Sequence, residues 1–424
     1  MIKAMEFIQY LCYLLLFIPI PLTMWQFSIG VFGIKKTKKT KAANKNSRFA
    51  VLICAKDEQA VIGQLLNSLN SQNYKKEDYT IFVVADNCTD NTAQIASQCG
   101  AIVFERFNSI LKGKGYAMEW AIKKINKEYN NSFDAFAVFD ADNLVDPDFL
   151  FYTNNALQNG ADITQGFRDT KNPFDSTISG CYAIYWLLIM RFFHCARKNL
   201  GLSCMVGGTG FAFKAELVKD GFKSKTMTED IEFSINQILL GKKIVPVSEA
   251  IFYDEQPTDF KTSLTQRFRW IVGNIQCAKY ILPEMMSNKT GKNQKIMIDR
   301  VSRFDMFLYM QSALIIPFVT VASIIFNLFS LVLSQGELLL TIKNMLIPFA
   351  ITSLTIILTA FASVVLERKS ILKNLKSILF FPLFLLPLPF MSVIALIPRK
   401  VEWKPIKHNC IVEISEMSYP ANIA

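Results

Sequence analysis

Apolar residues in this chain gather into four blocks, 5–34, 306–333, 346–366 and 378–397, and this segregation limits the possible folds more than any motif does. Each block reaches the roughly 20 residues that an α-helix needs to cross a hydrocarbon core. Backbone groups inside lipid must be hydrogen-bonded within the protein, so helices are the expected form. The long stretch between the first block and the second is left to build a folded domain outside the bilayer. The 51% hydrophobic share of the 424 residues reflects these blocks, since an ordinary soluble domain needs less. A signal peptide is the competing reading of block 5–34, but the basic residues follow it and no small-residue cleavage site closes it.

The net charge of +11 is localised too. Lys35, Lys36, Lys38, Lys39, Lys41, Lys45 and Arg48 follow the first block with no acid among them. A nucleic-acid patch has the same composition. Directly after an apolar block, however, the run reads as a positive flank facing anionic cytoplasmic lipid, and no nucleic-acid partner is expected. The stretch from Arg48 to about Arg300 then lies in the cytoplasm, and the chain is a multi-pass protein of the cell membrane in contact with membrane lipid. Block 306–333 crosses outward and 346–366 returns to Arg368, Lys369, Lys373 and Lys376. The tail is also basic (Arg399, Lys400, Lys404, Lys407), so 378–397, with Pro382, Pro387 and Pro389, suits a re-entrant or broken helix; a full crossing with an external tail is the alternative. These boundaries give an N-terminal span 1–34, a basic linker 35–48, a folded α/β domain 49–262, amphipathic interface helices 263–300, C-terminal spanning or re-entrant helices 301–400 and a cytoplasmic tail 401–424.

Nine scattered cysteines without a Cys-x-x-Cys spacing imply neither a disulfide framework nor a zinc site. The two histidines, His194 and His408, are too few and too distant in sequence to predict a metal cluster or a catalytic triad.

Between the blocks, strand and helix patterns alternate. Phe49 to Ala55, Thr80 to Ala85, Ala101 to Phe107 and Ala135 to Phe139 read as strands; Glu58 to Gln72, Asp90 to Cys99 and Tyr116 to Tyr129 read as helices. This series asks for a mostly parallel sheet covered on both faces. Ligands of such sheets bind beyond the carboxyl ends of the strands. The polar residues there are Lys56-Asp57-Glu58, Asp86-Asn87, Lys112-Gly113-Lys114-Gly115 and Asp140-Ala141-Asp142. Asp90 and Asp146 have the simpler reading of turn or cap residues. Two carboxylates one residue apart at a strand end let one oxygen face a hard cation such as Mg²⁺ or Mn²⁺ while the other bonds a ribose or a basic group.

Farther on, Asp230 in Thr228-Glu229-Asp230 opens a helix after a good cap residue, Thr228. A carboxylate there favours the helix dipole, and the same rigidity suits a general base. Gln266, Arg269 and Trp270 fall in an aromatic, amphipathic stretch, Leu264 to Met286, which also reads as a helix lying on a membrane surface. Thr177 to Leu200 is apolar, but Arg191 interrupts it, so a buried or interfacial helix is expected there.

Asp57-Glu58, Asp86, Lys112-Gly-Lys114-Gly115, Asp140-x-Asp142, Thr228-Glu-Asp230 and Gln266-x-x-Arg269-Trp270, in this order and flanked by apolar blocks, resemble the family 2 inverting glycosyltransferases. The resemblance points to their processive, membrane-embedded branch, which includes the cellulose, hyaluronan, chitin and poly-N-acetylglucosamine synthases. It implies an α/β GT-A catalytic domain, Rossmann-like with a mostly parallel sheet, joined to an α-helical transmembrane region. It further implies that Ala55, Glu58 and Asp86 hold the uridine of a UDP-sugar, that Lys114 approaches the base or diphosphate, and that Asp140 and Asp142 hold Mg²⁺ or Mn²⁺ and the ribose. Asp230 is then the general base. Gln266, Arg269 and Trp270 close over the diphosphate and the acceptor sugar, and Gly207 to Phe213 is the acceptor-contacting loop. The expected activity is elongation and translocation of a β-linked polysaccharide from a hexose or N-acetylhexosamine donor, with any secretion partner unspecified; the alternative is one transfer to a membrane lipid acceptor.

Overall fold

The computed structural model describes residues 17–219, 221–286, 300–333, 338–397 and 406–417. Residues 5–16 of the first apolar block, 287–299 of the interface segment, and 398–405 and 418–424 near the chain end lie outside them.

Eight strands form one mixed sheet in the order β3-β2-β1-β4-β7-β6-β8-β5. Strands β1 (Phe49–Ala55), β2 (Tyr79–Asp86), β3 (Ile102–Arg106) and β4 (Ala135–Asp140) are mutually parallel. They are joined by helices α2 (Ile62–Asn70), α3 (Thr92–Gln98) and α4 (Lys114–Glu128). Beyond β4 the sheet reverses: β7 (Phe211–Lys214) runs antiparallel to β4 and to β6 (Ile163–Thr170), while β6 and β8 (Ile244–Asp254) are parallel. A short β5 (Leu144–Val145) closes the edge antiparallel to β8. Helix α4 starts at Lys114, two residues earlier than its apolar spacing predicts, because Gly113 takes a φ of +114° that turns the chain into the helix.

The period of two in the strands sets both cores. Ala50, Leu52, Phe82, Val84, Phe136 and Val138 face one side, against Ala117, Met118, Ala121 and Ile122 of α4. Val51, Ile53, Val83, Ala137 and Phe139 face the other, against Leu65, Leu66 and Leu69 of α2 and Phe149 of α5 (Phe149–Gln158). Each of these large side chains contributes on the order of 1.5–3 kcal/mol by leaving water.

The remaining helices attach to the carboxyl side of this domain. They are α1 (Pro19–Val31), α6 (Thr177–Leu188) continuing through a π-helical turn (Ile189–Cys195) into α7 (Ala196–Leu200), α8 (Glu229–Leu239), α9 (Phe260–Met286), α10 (Arg300–Leu333), α11 (Leu338–Leu366), α12 (Ile371–Leu385) and α13 (Pro387–Ala395). Among the described residues, four stretches are long and apolar enough to cross a membrane: Thr177–Leu200, Arg300–Leu328, Met345–Leu366 and Ile371–Ala395. The apolar window of the first is 78% buried within the protein, against 17%, 17% and 22% for the others. Thr177–Leu200 therefore spends its apolar surface on the core, as its interruption by Arg191 suggests, and the other three turn theirs outward. The block at 378–397 is interrupted where its prolines fall: α12 ends at Leu385 and α13 begins at Pro387, which has no N–H to continue the ladder. A buried ion pair ties the apolar helices to the domain, with Arg197 Nε 2.7 Å from Asp305 Oδ2, and Trp25 Nε1 of α1 also donates to Asp305 at 3.0 Å.

Candidate active site

The ten residues singled out from sequence, Ala55, Glu58, Asp86, Lys114, Asp140, Asp142, Asp230, Gln266, Arg269 and Trp270, line one cavity of about 850 Å³ at the carboxyl ends of β1, β2 and β4.

Asp230 sits in the first turn of α8, beside Glu229 and Glu232. Thr228 makes no cap bond to this helix, contrary to expectation; its Oγ1 is buried without a partner. The reason is packing. Gly273 of α9 lies so close that a Cβ there would collide with the Thr228 side chain, so Thr228 acts as a spacer between α8 and α9. Glu232 instead ties down the preceding loop, accepting from Lys225 N and Thr226 N at 2.9 Å. From the opposite side comes Gly208, whose φ of +82° and close approach to Asp230 Oδ2 leave little room for a side chain (a Cβ would lie 3.3 Å away). Burial raises Asp230 above the usual carboxylate range, with Lys114 opposing. Burial, reinforced by Asp230, lifts Glu229 to about 7.

Lys114 Nζ forms an ion pair with Asp140 and donates to Gly208 O at 2.7 Å, so one ammonium links the strand-end carboxylate to the loop beneath Asp230. Asp86 is buried and pairs with Arg106 Nη1 at 2.5 Å. Burial raises its pKa and Arg106 opposes this. Asp142 is also buried, and its Oδ2 lies 3.8 Å from His408 Nε2 and accepts from Glu255 N at 3.3 Å. Burial lifts Asp142 to about 7. Burial disfavours the charge on His408, but Asp142 and Glu58 outweigh it and push the imidazole up to about 10. His408 is therefore a cation set among carboxylates.

On the third side, α9 carries Gln266, Arg269 and Trp270. Trp270 is held edge-on by Trp186 and Tyr182, with ring centroids 5.9 and 6.2 Å away. Arg168 stacks over Trp186 at 3.8 Å, donates to Asp254 Oδ2 through Nη2 at 2.6 Å and reaches Gly207 O at 3.0 Å. Gln266 Oε1 is buried without a partner.

Sequence reasoning missed several of these groups. Both histidines were set aside as too distant, yet the chain returns at 406–417 and places His408 against Glu58 and Asp142. Nothing local marks it. Arg106 was legible in principle, since it ends β3 at the same sheet edge as the acids. Arg168 and Trp186 carried no motif. A different cluster, Asp57, Cys88 and Asp90, brings three potential ligand atoms within 4.8 Å of one another, but its carboxylates already accept from Thr89 in the β2–α3 loop, Thr92 at the start of α3 and Gln59 in the β1–α2 loop. The eight cysteines among the described residues are unpaired, as their spacing predicts.

Residues 47–273 match the model of the glycosyltransferase like family 2. This chain belongs to that family. As a family 2 glycosyltransferase it is 25% identical over 272 residues to the probable glycosyltransferase YdaM of Bacillus subtilis (strain 168), covering 62% of this chain and 61% of that one. It is likewise 25% identical over 283 residues to a beta-monoglucosyldiacylglycerol synthase of Nostoc sp. (strain PCC 7120 / SAG 25.82 / UTEX 2576), covering 63% and 56%. It thus spans about 60% of the length of these curated relatives. The mannosyltransferase PcManGT from Pyrobaculum calidifontis, solved in complex with GDP-Man and Mn²⁺, superposes with a TM-score of 0.59 at 15% identity, over 89% of this glycosyltransferase and 99% of that chain. That likeness extends the shared fold beyond the sheet to the apolar helices.

Proposed function

We propose that this glycosyltransferase works at a membrane surface, moving a sugar with inversion from a UDP-sugar to an acceptor hydroxyl. The reading is carried by one juxtaposition: Asp230, a carboxylate with a raised pKa, borders the same cavity as the Lys114–Asp140 pair and the Asp142–His408 pair. A base and a diphosphate site face each other across room for a sugar.

On the donor side, Asp86, oriented by Arg106, offers an acceptor for the imide N–H of uracil, and Glu58 and Ala55 flank it. Lys114 and Arg269 meet the diphosphate; a guanidinium suits phosphate through its planar fork. Asp142, Glu58 and Glu255 surround His408, and Asp140 and Asp254 add their charge at Asp142, an acid-rich donor set that fits a hard divalent cation. Asp142 would hold Mn²⁺ or Mg²⁺ with Asp140 beside it, His408 would join them only by giving up its proton to the incoming ion, and the ion when bound supplies neutralisation of the departing diphosphate. Asp230 takes the proton from the acceptor O–H. The acceptor oxygen then bonds to the anomeric carbon from the face opposite the diphosphate. The anomeric C–O bond to the diphosphate breaks, and its electron pair leaves with the nucleoside diphosphate.

The outward-facing apolar helices α10 to α13 support membrane residence, and the basic run Lys35 to Arg48 supports a catalytic domain on the cytoplasmic side. Chain elongation is the second reading, favoured by the Trp270, Trp186 and Tyr182 wall, on which a pyranose ring stacks. The test is Asp230→Asn with purified full-length protein in lipid. Turnover should fall by roughly 10²–10⁴, as when a positioned base is removed, with nucleotide binding retained. Turnover within threefold of the parent would sink the assignment.

A further inference from the structure

A second cleft, of about 230 Å³, opens from the catalytic cavity between α9, α10 and the α12–α13 break. The two are continuous, because Tyr185, Ile231, Trp270, Asn274 and Tyr309 line both. Tyr309 and Asn274 line it near the catalytic cavity, and farther in the wall is mostly apolar, with Ala313, Leu314 and Pro317 of α10 and Phe384, Leu385 and Leu388 beside Ser392. Such a wall offers a glycan hydroxyl few partners and suits hydrocarbon.

One group in this wall does not suit a purely apolar occupant. Arg267 is 4% exposed and forms no ion pair among the described residues. Its Nη1 donates to Phe384 O at 2.5 Å and its guanidinium lies 4.0 Å from the centre of the Phe384 ring, but its Nη2 is buried with no partner. A buried cation with an unmade donor calls for an anion. The Arg267 Nε donates to Ser263 O at 3.5 Å, so Nη2 is the donor left over, and a phosphate oxygen supplies a charged acceptor for it.

We infer that the cleft seats the acceptor itself, a glycerolipid whose phosphodiester meets Arg267, whose acyl chain lies along α10 and α13, and whose headgroup hydroxyl reaches Asp230. This rests on the glycosyl transfer proposed above and names its acceptor class. The step balances as written there, with the lipid hydroxyl oxygen forming the new glycosidic bond and its proton passing to Asp230.

The experiment uses the full chain in phosphatidylcholine nanodiscs with Mn²⁺ and whichever of UDP-glucose, UDP-N-acetylglucosamine and GDP-mannose turns over. Three acceptors are compared: phosphatidylglycerol, which has phosphate and hydroxyl; diacylglycerol, which has only the hydroxyl; and a soluble oligosaccharide. The expected result is a glycosylated phosphatidylglycerol, formed at least tenfold faster than either alternative product. Arg267→Gln should raise the KM for phosphatidylglycerol tenfold or more, with the donor KM unchanged. Because Arg267 also holds the Phe384 carbonyl, Ala313→Trp is the second variant: Ala313 is exposed and tolerates bulk, yet its indole fills the cleft, and the same KM split is expected. Equal rates with diacylglycerol, preference for the oligosaccharide, or an unchanged lipid KM in Ala313→Trp overturns the inference. Loss of the glycosyltransferase reading would look different, with no donor consumed even by hydrolysis to water.

Discussion

His408 Nδ1 lies 3.0 Å from both carboxylate oxygens of Glu58, a residue 350 positions earlier in the chain. The contact folds the chain end back over the donor side of the cavity. Asn409 N and Cys410 N extend it by donating to Glu255 at 2.9 and 3.1 Å. The closing segment thus completes the site from outside the α/β domain.

If His408 and Asp142 hold the cation together, removing the imidazole should matter only when metal is present. His408→Ala is expected to weaken UDP affinity about tenfold or more in Mn²⁺ and to leave the weaker metal-free binding nearly unchanged, the size of effect seen when ligand shells are disturbed. Titration calorimetry with and without chelator checks this, and chelator should abolish turnover of the parent.

The Glu229–Asp230 pair sets the acid limb of the pH profile. A base must be unprotonated to act, and burial raises Asp230, so activity should fall on the acid side at a pH above that of an ordinary aspartate. Glu229→Gln removes a neighbouring negative charge, which makes the Asp230 carboxylate easier to ionise. The acid limb of kcat/KM should move to lower pH in this variant. A limb that stays in place or moves upward contradicts the coupling.

Gly208 should tolerate no side chain. Gly208→Ala places a methyl 3.3 Å from Asp230 Oδ2 on a backbone at φ +82°, which an L-residue adopts at a cost of about 1–2 kcal/mol. Turnover is expected to drop at least tenfold with the melting temperature lowered by only a few degrees, measured by steady-state kinetics and calorimetry.

Trp186 is expected to act through Trp270. Trp186→Ala removes one edge contact at 5.9 Å and the surface on which Arg168 stacks, interactions worth on the order of 1 kcal/mol each. The acceptor KM should rise several-fold to tenfold while the donor KM holds. A donor KM that rises equally would place Trp186 on the nucleotide side.

Local chemistry carried much of this protein in the sequence. The short apolar run Phe49 to Ala55 and the helical spacing of Leu65, Leu66 and Leu69 marked out strands and helices, because burial of a continuous run or a repeating face is decided by neighbours in the chain. Strand-end acids were legible for a related reason: a parallel sheet delivers its carboxyl ends to one edge, so polar residues there converge whatever the loop details, whereas Gln266, Arg269 and Trp270, on helix α9, were legible as site residues only through the family resemblance. Three things were not legible. The sheet reverses at β7, a choice set by pairing with β4 and β6 that no local pattern encodes. Thr228 lost its expected cap bond to the close packing of Gly273, a contact between segments far apart in the chain. His408 became part of the site only because the chain after α13 returns to Glu58 and Asp142, and a lone histidine in a basic tail has no periodicity or spacing to announce a partner 350 residues away. Sequence settles what neighbours along the chain decide, and only the tertiary structure settles which distant charges share one low-dielectric cavity.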